Sequence, residues 1–411
     1  MKTALFLLFM LSFTVRPQTV ETVFFSDSDR DDYYDPSWGF VEAPGELNLI
    51  EPGPKVAVET GEAFAGKNSL KLIWRSVPCR SWGVAIARQG WSGADLSEMD
   101  TLNIMLFSPA PMAPDDLPRV YLEDLNNLKT GKVRLGHFVE SVPVGQWFPV
   151  KIAMAQFSEQ RRQADLARIK TVFFGRNFSD KGPRTLLIDE VRFTGPPPPP
   201  GRKNVVVLGS STAAGTGPQD YRNAWVNRFR DYAHGGDSSL HVVNLAIGGF
   251  TSYDIMPGNV APPANRAQSR PGHNLDAALS YKPVLVLINL PSNDASSGFS
   301  IPEQIANFDT LVGRLSRLRI PVWVTTTQPR NFEKEEQRRN LMEMRDSLLV
   351  HYPRKFGAGV VDFWNGMAEE GGFLAPQFDS GDGIHVNDVG HGIFADRMIE
   401  AVFGKAKGVQ K

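Results

Sequence analysis

Cysteine is nearly missing: Cys79 is the only one in 411 residues. That excludes a disulfide framework within the chain, and a single thiol can build neither a thiolate zinc site nor a redox pair. An excess of charge of one sign is also missing, with 44 Lys and Arg against 45 Asp and Glu and a formal net charge of −1. No broad basic surface is therefore offered to DNA or RNA. The glycines of "VVVLGSSTAAGTG" (205–217) lack a following Gly-Lys-Ser/Thr, and their spacing departs from the dinucleotide fingerprint, so neither familiar phosphate cradle is present there. The N-terminal "ALFLLFMLSF" follows Met1 and Lys2. It has roughly half the length a bilayer span needs. A positive start and a short apolar run read as an export signal over residues 1–19, cleaved near Thr19, although Arg16 and Pro17 follow without a clean small-x-small site. The expected location is secreted or periplasmic. No cysteine lies near that site to carry a lipid anchor.

What is there fits two domains. Hydrophobic residues make up 42% of the chain amid scattered charge, the composition of a globular protein. "TGPPPPPGRKN" (194–204) holds five consecutive prolines, which fit neither a helix nor a central strand and prefer stiff extended chain. It divides the chain into residues 20–195, a linker at 196–202, and residues 203–411. Upstream lie short β-type runs separated by turns, among them "SLKLIW", "TLNIMLFS", "WFPVKIAM" and "TLLIDEVRF". Helical periodicity is scarce there, which predicts an antiparallel β-sandwich. Five of the eight tryptophans fall in this part: Trp38, Trp74, Trp82, Trp91 and Trp147. Downstream, buried-strand runs ("NVVVLG", "LHVVNLAI", "PVLVLINL", "IPVWVTTT", "AGVVDFW") alternate with helix-like stretches. That alternation predicts an α/β fold with a parallel sheet covered on both faces. Ligands of such sheets bind beyond the carboxyl ends of the strands.

Four loops at those ends carry the polar chemistry: "GSSTAAG" (209–215), "NLAIGGFTS" (244–252), "LPSND" (290–294) and "DGIHVNDVGH" (382–391). A serine hydroxyl needs a base within hydrogen-bond reach, and the base needs a third group to fix its tautomer. Asp382 and His385, three residues apart, suit the last two roles. Asp382 also suits a turn or N-cap before the helix that begins near Val389.

In order and content the four loops resemble the signature blocks of the SGNH, or GDSL-type, hydrolases over essentially all of 203–405. The resemblance implies a three-layer hydrolase domain with Ser211 as nucleophile, His385 as base and Asp382 as its partner. It implies an oxyanion hole from the backbone N–H groups of Ser211 and Gly249 and the side-chain amide of Asn293. Gly249 suits its place because the backbone there comes close to substrate, with room for positive φ. Two positions depart from the pattern. Ser210 stands where the family has Asp, and a serine braces the loop with only one short neutral group. Pro291 stands where glycine is usual, which restricts φ and removes an N–H.

Residues 20–195, through "GQWFPVKIAMAQF" and "LLIDEVRF", resemble the jelly-roll carbohydrate-binding modules joined to polysaccharide-degrading enzymes. In such modules an Asp at the position of Asp189 often helps hold a structural calcium, with "SDSDRDDYYD" as a source of further ligands; a solvated acidic loop is the alternative. In the hydrolase half His385, Asp388 and His391 have the look of metal ligands. The resemblance makes them the ordinary surroundings of the catalytic histidine, so no catalytic metal and no required cofactor is expected. Arg330 in "TTTQPRNF" is placed either to clamp a uronate carboxylate or to pair with Asp294. Trp225 in "NAWVNRF" reads as core.

Together these features lead to a secreted serine esterase removing small acyl groups, acetyl foremost, from a polysaccharide. A lipase or lysophospholipase is the second reading. A carbohydrate-binding protein with a decayed hydrolase half is the third, its support being Ser210 and Pro291 alone. If the β domain serves glycan recognition, a chain starting near Lys203 keeps its turnover of p-nitrophenyl acetate and loses much of its rate on acetylated polysaccharide.

Overall fold

In a computed structural model the described residues are 19–157, 164–176, 182–290 and 292–404. The export-signal segment up to residue 18 and Pro291 lie outside them. The first part of the chain folds as two packed antiparallel sheets. In one, strands run in the order Trp147–Ala153, Thr101–Phe107, Arg184–Gly195, Ser69–Arg75, Lys55–Glu59 and Tyr33–Tyr34, and Val20–Phe25 pairs with Arg184–Gly195. In the other the order is Val133–Arg134, Arg119–Asp124, Ile169–Arg176, Trp82–Ala87 and Ser37–Val41. Alternation dictates the packing. Leu102, Ile104 and Leu106 of one strand and Phe148, Val150 and Ile152 of its neighbour all point into the shared core, while the residues between them are at least partly exposed. Trp74 and Trp82 meet in that core with ring centroids 5.2 Å apart.

Beyond the exposed proline linker, five parallel strands form the second sheet. In chain order they are Lys203–Gly209, Leu240–Asn244, Leu285–Asn289, Val322–Thr325 and Gly359–Val361, and in space the order is second, first, third, fourth, fifth. The helices are α1 (Ser211–Ala214), α2 (Trp225–Gly236), α3 (Leu275–Ser280), α4 (Ser292–Ser296), α5 (Ile301–Arg317), α6 (Glu335–Phe356) and α7 (Asp388–Phe403). The run Val205–Leu208 is apolar throughout because both faces of its strand are covered. Val206 and Leu208 pack with Leu275, Phe308, Leu311 and Leu348 from α3, α5 and α6. Val205 and Val207 pack with Trp225, Phe229 and Phe394 from α2 and α7. The result is a three-layer α/β domain, as the alternating sequence texture predicts, and Trp225 is fully buried in its core.

This strand order places the topological switch between the first and third strands, where the chain leaves in opposite directions and a crevice opens at the carboxyl ends. α1 follows the first strand and α4 the third, so residues 211 and 293 come together there.

Candidate active site

Gly209 ends the first strand in a crowded place. A Cβ there would come within 2.7 Å of the Asn289 carbonyl oxygen and 2.8 Å of the Ala213 Cβ, which only glycine avoids. The chain then turns directly into α1, with Ser211 at its first position. The Ser211 hydroxyl donates to His385 Nε2 at 2.8 Å. The opposite ring nitrogen, Nδ1–H, donates to Asp382 Oδ2 at 2.6 Å. Ser211, His385 and Asp382 therefore form one continuous hydrogen-bond chain.

Asp382 does double work. Its Oδ1 accepts the backbone N–H groups of Ile384 (2.9 Å) and His385 (2.8 Å), which closes the turn that presents the imidazole. Burial pushes this carboxyl up, but the His385 side chain, those two backbone bonds and the charge on His385 outweigh it and leave it down at about 2. It stays anionic throughout the range in which a histidine titrates. The N-cap of α7 is a different residue, Asn387, whose side chain accepts from Val389 and Gly390.

Two further loops meet the Ser211 turn. Gly249 has φ +84°, a left-handed value that favours glycine, and nothing lies within 4 Å of where its Cβ would be. A Cβ on Gly248 would sit 3.8 Å from the Ser211 Cβ, so the glycine pair lies alongside the serine. Asn293 Nδ2 donates one hydrogen to the Phe250 carbonyl at 2.9 Å and retains a second. Its Oδ1 faces Arg330 Nη1 at 3.4 Å, and the same nitrogen reaches Ser292 Oγ at 3.4 Å. Arg330 thus orients the amide of Asn293. Its half-buried guanidinium lies 4.5 Å from the Phe332 ring centroid, and burial lowers its pKa against the pull of Asp382.

Similarity to known proteins follows the same division of the chain. Residues 207–393 match the model of the GDSL-like lipase/acylhydrolase family, and residues 21–195 match that of carbohydrate binding domain 30. The chain joins a family 30 carbohydrate-binding domain to a GDSL-type acylhydrolase domain. None of the curated proteins compared with it matches. Among solved structures it is similar to a β-1,2-glucanase from Parabacteroides distasonis, at 22% identity over 42% of this chain and 24% of that one, with TM-score 0.37. It is similar to the family 30 module of a Clostridium thermocellum cellulosomal cellulase, at 19% identity over 43% of this chain and 98% of that one, with TM-score 0.36. A psychrotrophic esterase from Pseudoalteromonas sp. is similar at 22% identity over 49% of this chain and 96% of that one, with TM-score 0.36.

Around the GDSL-domain site several polar residues find structural employment. His391 is fully buried; its Nδ1 accepts the Trp225 N–H at 3.1 Å, so its Nε2–H donates to the Thr216 carbonyl at 3.1 Å. Burial pushes it down to about 4 and keeps it neutral. Asp388 accepts from Gln219 N and Asn223 Nδ2. Asp294 is buried and accepts the Ser252 N–H at 2.8 Å, tying the loop after the third strand to the one after the second; desolvation raises it to about 7. Arg330 therefore contacts Asn293 and Ser292, and the pairing with Asp294 drawn from sequence is not made. Ser210 is buried and makes no capping bond from its side chain. The brace comes instead from Gln328, whose Nε2 donates to Thr212 Oγ1 at 2.9 Å and to the Ile384 carbonyl at 3.3 Å. Gln328 ties the Ser211 turn to the His385 loop, and nothing in its sequence setting distinguishes it from Arg330 two residues later.

In the family 30 domain Asp189 is fully buried. Its Oδ2 accepts the N–H groups of Phe64 and Ala65, and its Oδ1 accepts that of Glu190. Asp189 thereby ties the Phe64–Ala65 turn to its own strand. Among the described residues no group of three or more His, Cys, Asp or Glu is arranged to hold a metal ion. Among them, too, no helix is long and apolar enough to cross a membrane.

Proposed function

We propose that the chain is an exported serine esterase that removes small acyl groups, acetyl foremost, from a polysaccharide. The hydrogen-bond chain from Ser211 through His385 to Asp382 is the observation that carries this reading. His385 takes the proton of Ser211 as its oxygen attacks the ester carbonyl, and Asp382 steadies the imidazolium. The N–H groups of Ser211 and Gly249 and the free Asn293 hydrogen face the oxyanion. Collapse expels the sugar oxygen, which takes the proton from His385 to leave as the free hydroxyl, and an acetyl-serine remains. Water, activated by the same histidine, releases acetate and restores the serine. The family 30 domain supports a glycan as the alcohol side of the ester. Trp38 on its outer sheet face is 43% exposed and stacks with Phe40 at 5.6 Å, the kind of platform on which a sugar ring packs.

Rates across p-nitrophenyl esters from acetyl to octanoyl test the reading. An acetyl pocket rejects the longer chains, so kcat/KM falls from acetyl onward. A lipid groove instead gains about 0.8 kcal/mol, roughly fourfold, per CH2 buried. A preference that climbs with chain length overturns the deacetylase reading in favour of a lipid esterase. Acetate release from acetylated xylan, pectin and mannan then selects the polymer.

Asn293→Ala is expected to lower kcat about 10- to 1,000-fold with little change in KM, because its free hydrogen acts on charge present in the transition state. Steady-state kinetics on p-nitrophenyl acetate decide it. A change confined to KM makes Asn293 a ground-state contact.

A further inference from the structure

We infer that Arg168, a residue of the carbohydrate-binding domain, is a positioning residue for the esterase site, clamping the two loops that present the nucleophile and the oxyanion donors. The inference rests on the esterase reading above. Arg168 ends the 3-10 turn Leu166–Arg168. Asp165 caps that turn by accepting from Ala167, while its own N–H donates to Asp124 Oδ2 at 2.9 Å. The Arg168 side chain leaves its domain altogether. Nη1 donates to the Ala214 carbonyl at 2.5 Å, and Nη2 donates to the Ala246 carbonyl.

Those two carbonyls are not arbitrary. Ala214 is the last residue of α1, the single helical turn that begins at Ser211. Much of so short a helix's carbonyl set has no partner within the helix. The Ala214 carbonyl is met entirely from the other domain's side, by Arg168 and by Asn126 Nδ2 at 2.6 Å. Ala246 lies three residues before Gly249. The two loops are further tied by Asn244, whose Nδ2 donates to the Ala213 carbonyl at 2.7 Å and whose Oδ1 accepts from the Ala246 N–H at 3.1 Å. One guanidinium therefore fixes the spacing between the serine turn and the glycine loop, a task suited to a rigid fork of donors.

The arrangement is costly as mere domain packing. Arg168 is 2% exposed, and the nearby charges of Asp165 and Asp124 offset its burial only in part, with no carboxylate bonded to it among the described residues. A buried charge without a bonded counter-charge is destabilising, and an apolar side chain would seal the same boundary more cheaply. What an apolar residue lacks is donors for two active-site carbonyls. The clamp also changes the expectation for a chain beginning at Lys203. Such a chain lacks both Arg168 and Asn126, so its turnover of a small ester falls as well as its rate on polymer.

Full-length variants assayed on p-nitrophenyl acetate provide the test. Wild-type turnover decides the esterase reading, and the ratio of variant to wild type decides the role of Arg168. Arg168→Met keeps the bulk and removes the donors. Its kcat is expected to fall about 10- to 100-fold with KM within about threefold, the scale of a sub-ångström to ångström misplacement of reacting groups. Arg168→Lys, with a single donor head, falls between the two. In Arg168→Ala, ethylguanidinium is expected to restore turnover. It has a route in, since a cavity of about 200 Å³ lined by Arg88, Leu125, Arg168, Asn244, His273 and Tyr281 opens at the domain boundary. A folded Arg168→Met with kcat within twofold of wild type overturns the proposal. So does an activity loss in Arg168→Ala that ethylguanidinium does not reverse. If Arg168→Met fails to fold, a folded Arg168→Lys with wild-type kcat overturns it equally.

Discussion

Ser211→Ala is expected to lower kcat on p-nitrophenyl acetate by about 10⁴-fold or more while the thermal melt barely moves. The hydroxyl is half-buried and, among the described residues, its one side-chain partner is His385, so its loss removes the attacking atom and disturbs no packing contact of weight. Whatever rate survives comes from the oxyanion donors and from binding. Ser210→Ala provides the matched control. Its side chain is buried and makes no capping bond, so its removal trims one oxygen from a turn that Gln328 holds through Thr212. The result that sinks this assignment is a dead Ser210→Ala beside an active Ser211→Ala.

Asp382→Asn is expected to cost about 10²- to 10⁴-fold in kcat, because an amide in place of the carboxylate no longer fixes the tautomer that leaves Nε2 free to accept the serine proton. The pH profile supplies an independent readout. A histidine base must be neutral to accept the serine proton, so the rate is expected to be lost through an ionisation on the acid side. Asp382, held down to about 2, contributes no second one above pH 4. Its depressed value also sets the sign for stability. The contribution is complete above the carboxyl's unfolded value of about 3.9 and is lost as pH falls through about 2. A wild-type rate flat from pH 5 to 9 would exclude histidine base catalysis.

The parts of this site that could be read from sequence are those whose partners are near in sequence or whose role follows from strand ends. Asp382 and His385 lie three apart and close one turn; Ser211, Gly249 and Asn293 each follow a buried-strand run that the sequence displays plainly. The two-layer and three-layer halves were legible for the same reason, since period-two burial and strand–helix alternation are local patterns. What escaped was long-range and backbone-directed. Gln328 reaches Thr212 across 116 positions and Arg168 reaches Ala214 across 46. Both use ordinary side chains, and Arg168 meets bare carbonyls, which leave no mark in the letters. Arg330 was placed at the right edge, but its partner came out as Asn293 because Asp294 is turned inward to the Ser252 N–H. Asp189 likewise bonds the backbone N–H groups of Phe64, Ala65 and Glu190, the first two across more than 120 positions.

The order of the two domains along the chain acquires a meaning from the clamp at Ala214 and Ala246. Synthesis proceeds from the N-terminus, and domains generally fold as units in that order. The sandwich, with Arg168 and Asn126 at its edge, can therefore fold before the hydrolase sheet is complete. The serine turn then matures against a finished template. A circularly permuted protein, with the hydrolase half translated first, presents that turn to solvent until the sandwich arrives, and its active sites ripen late even when its final fold is the same.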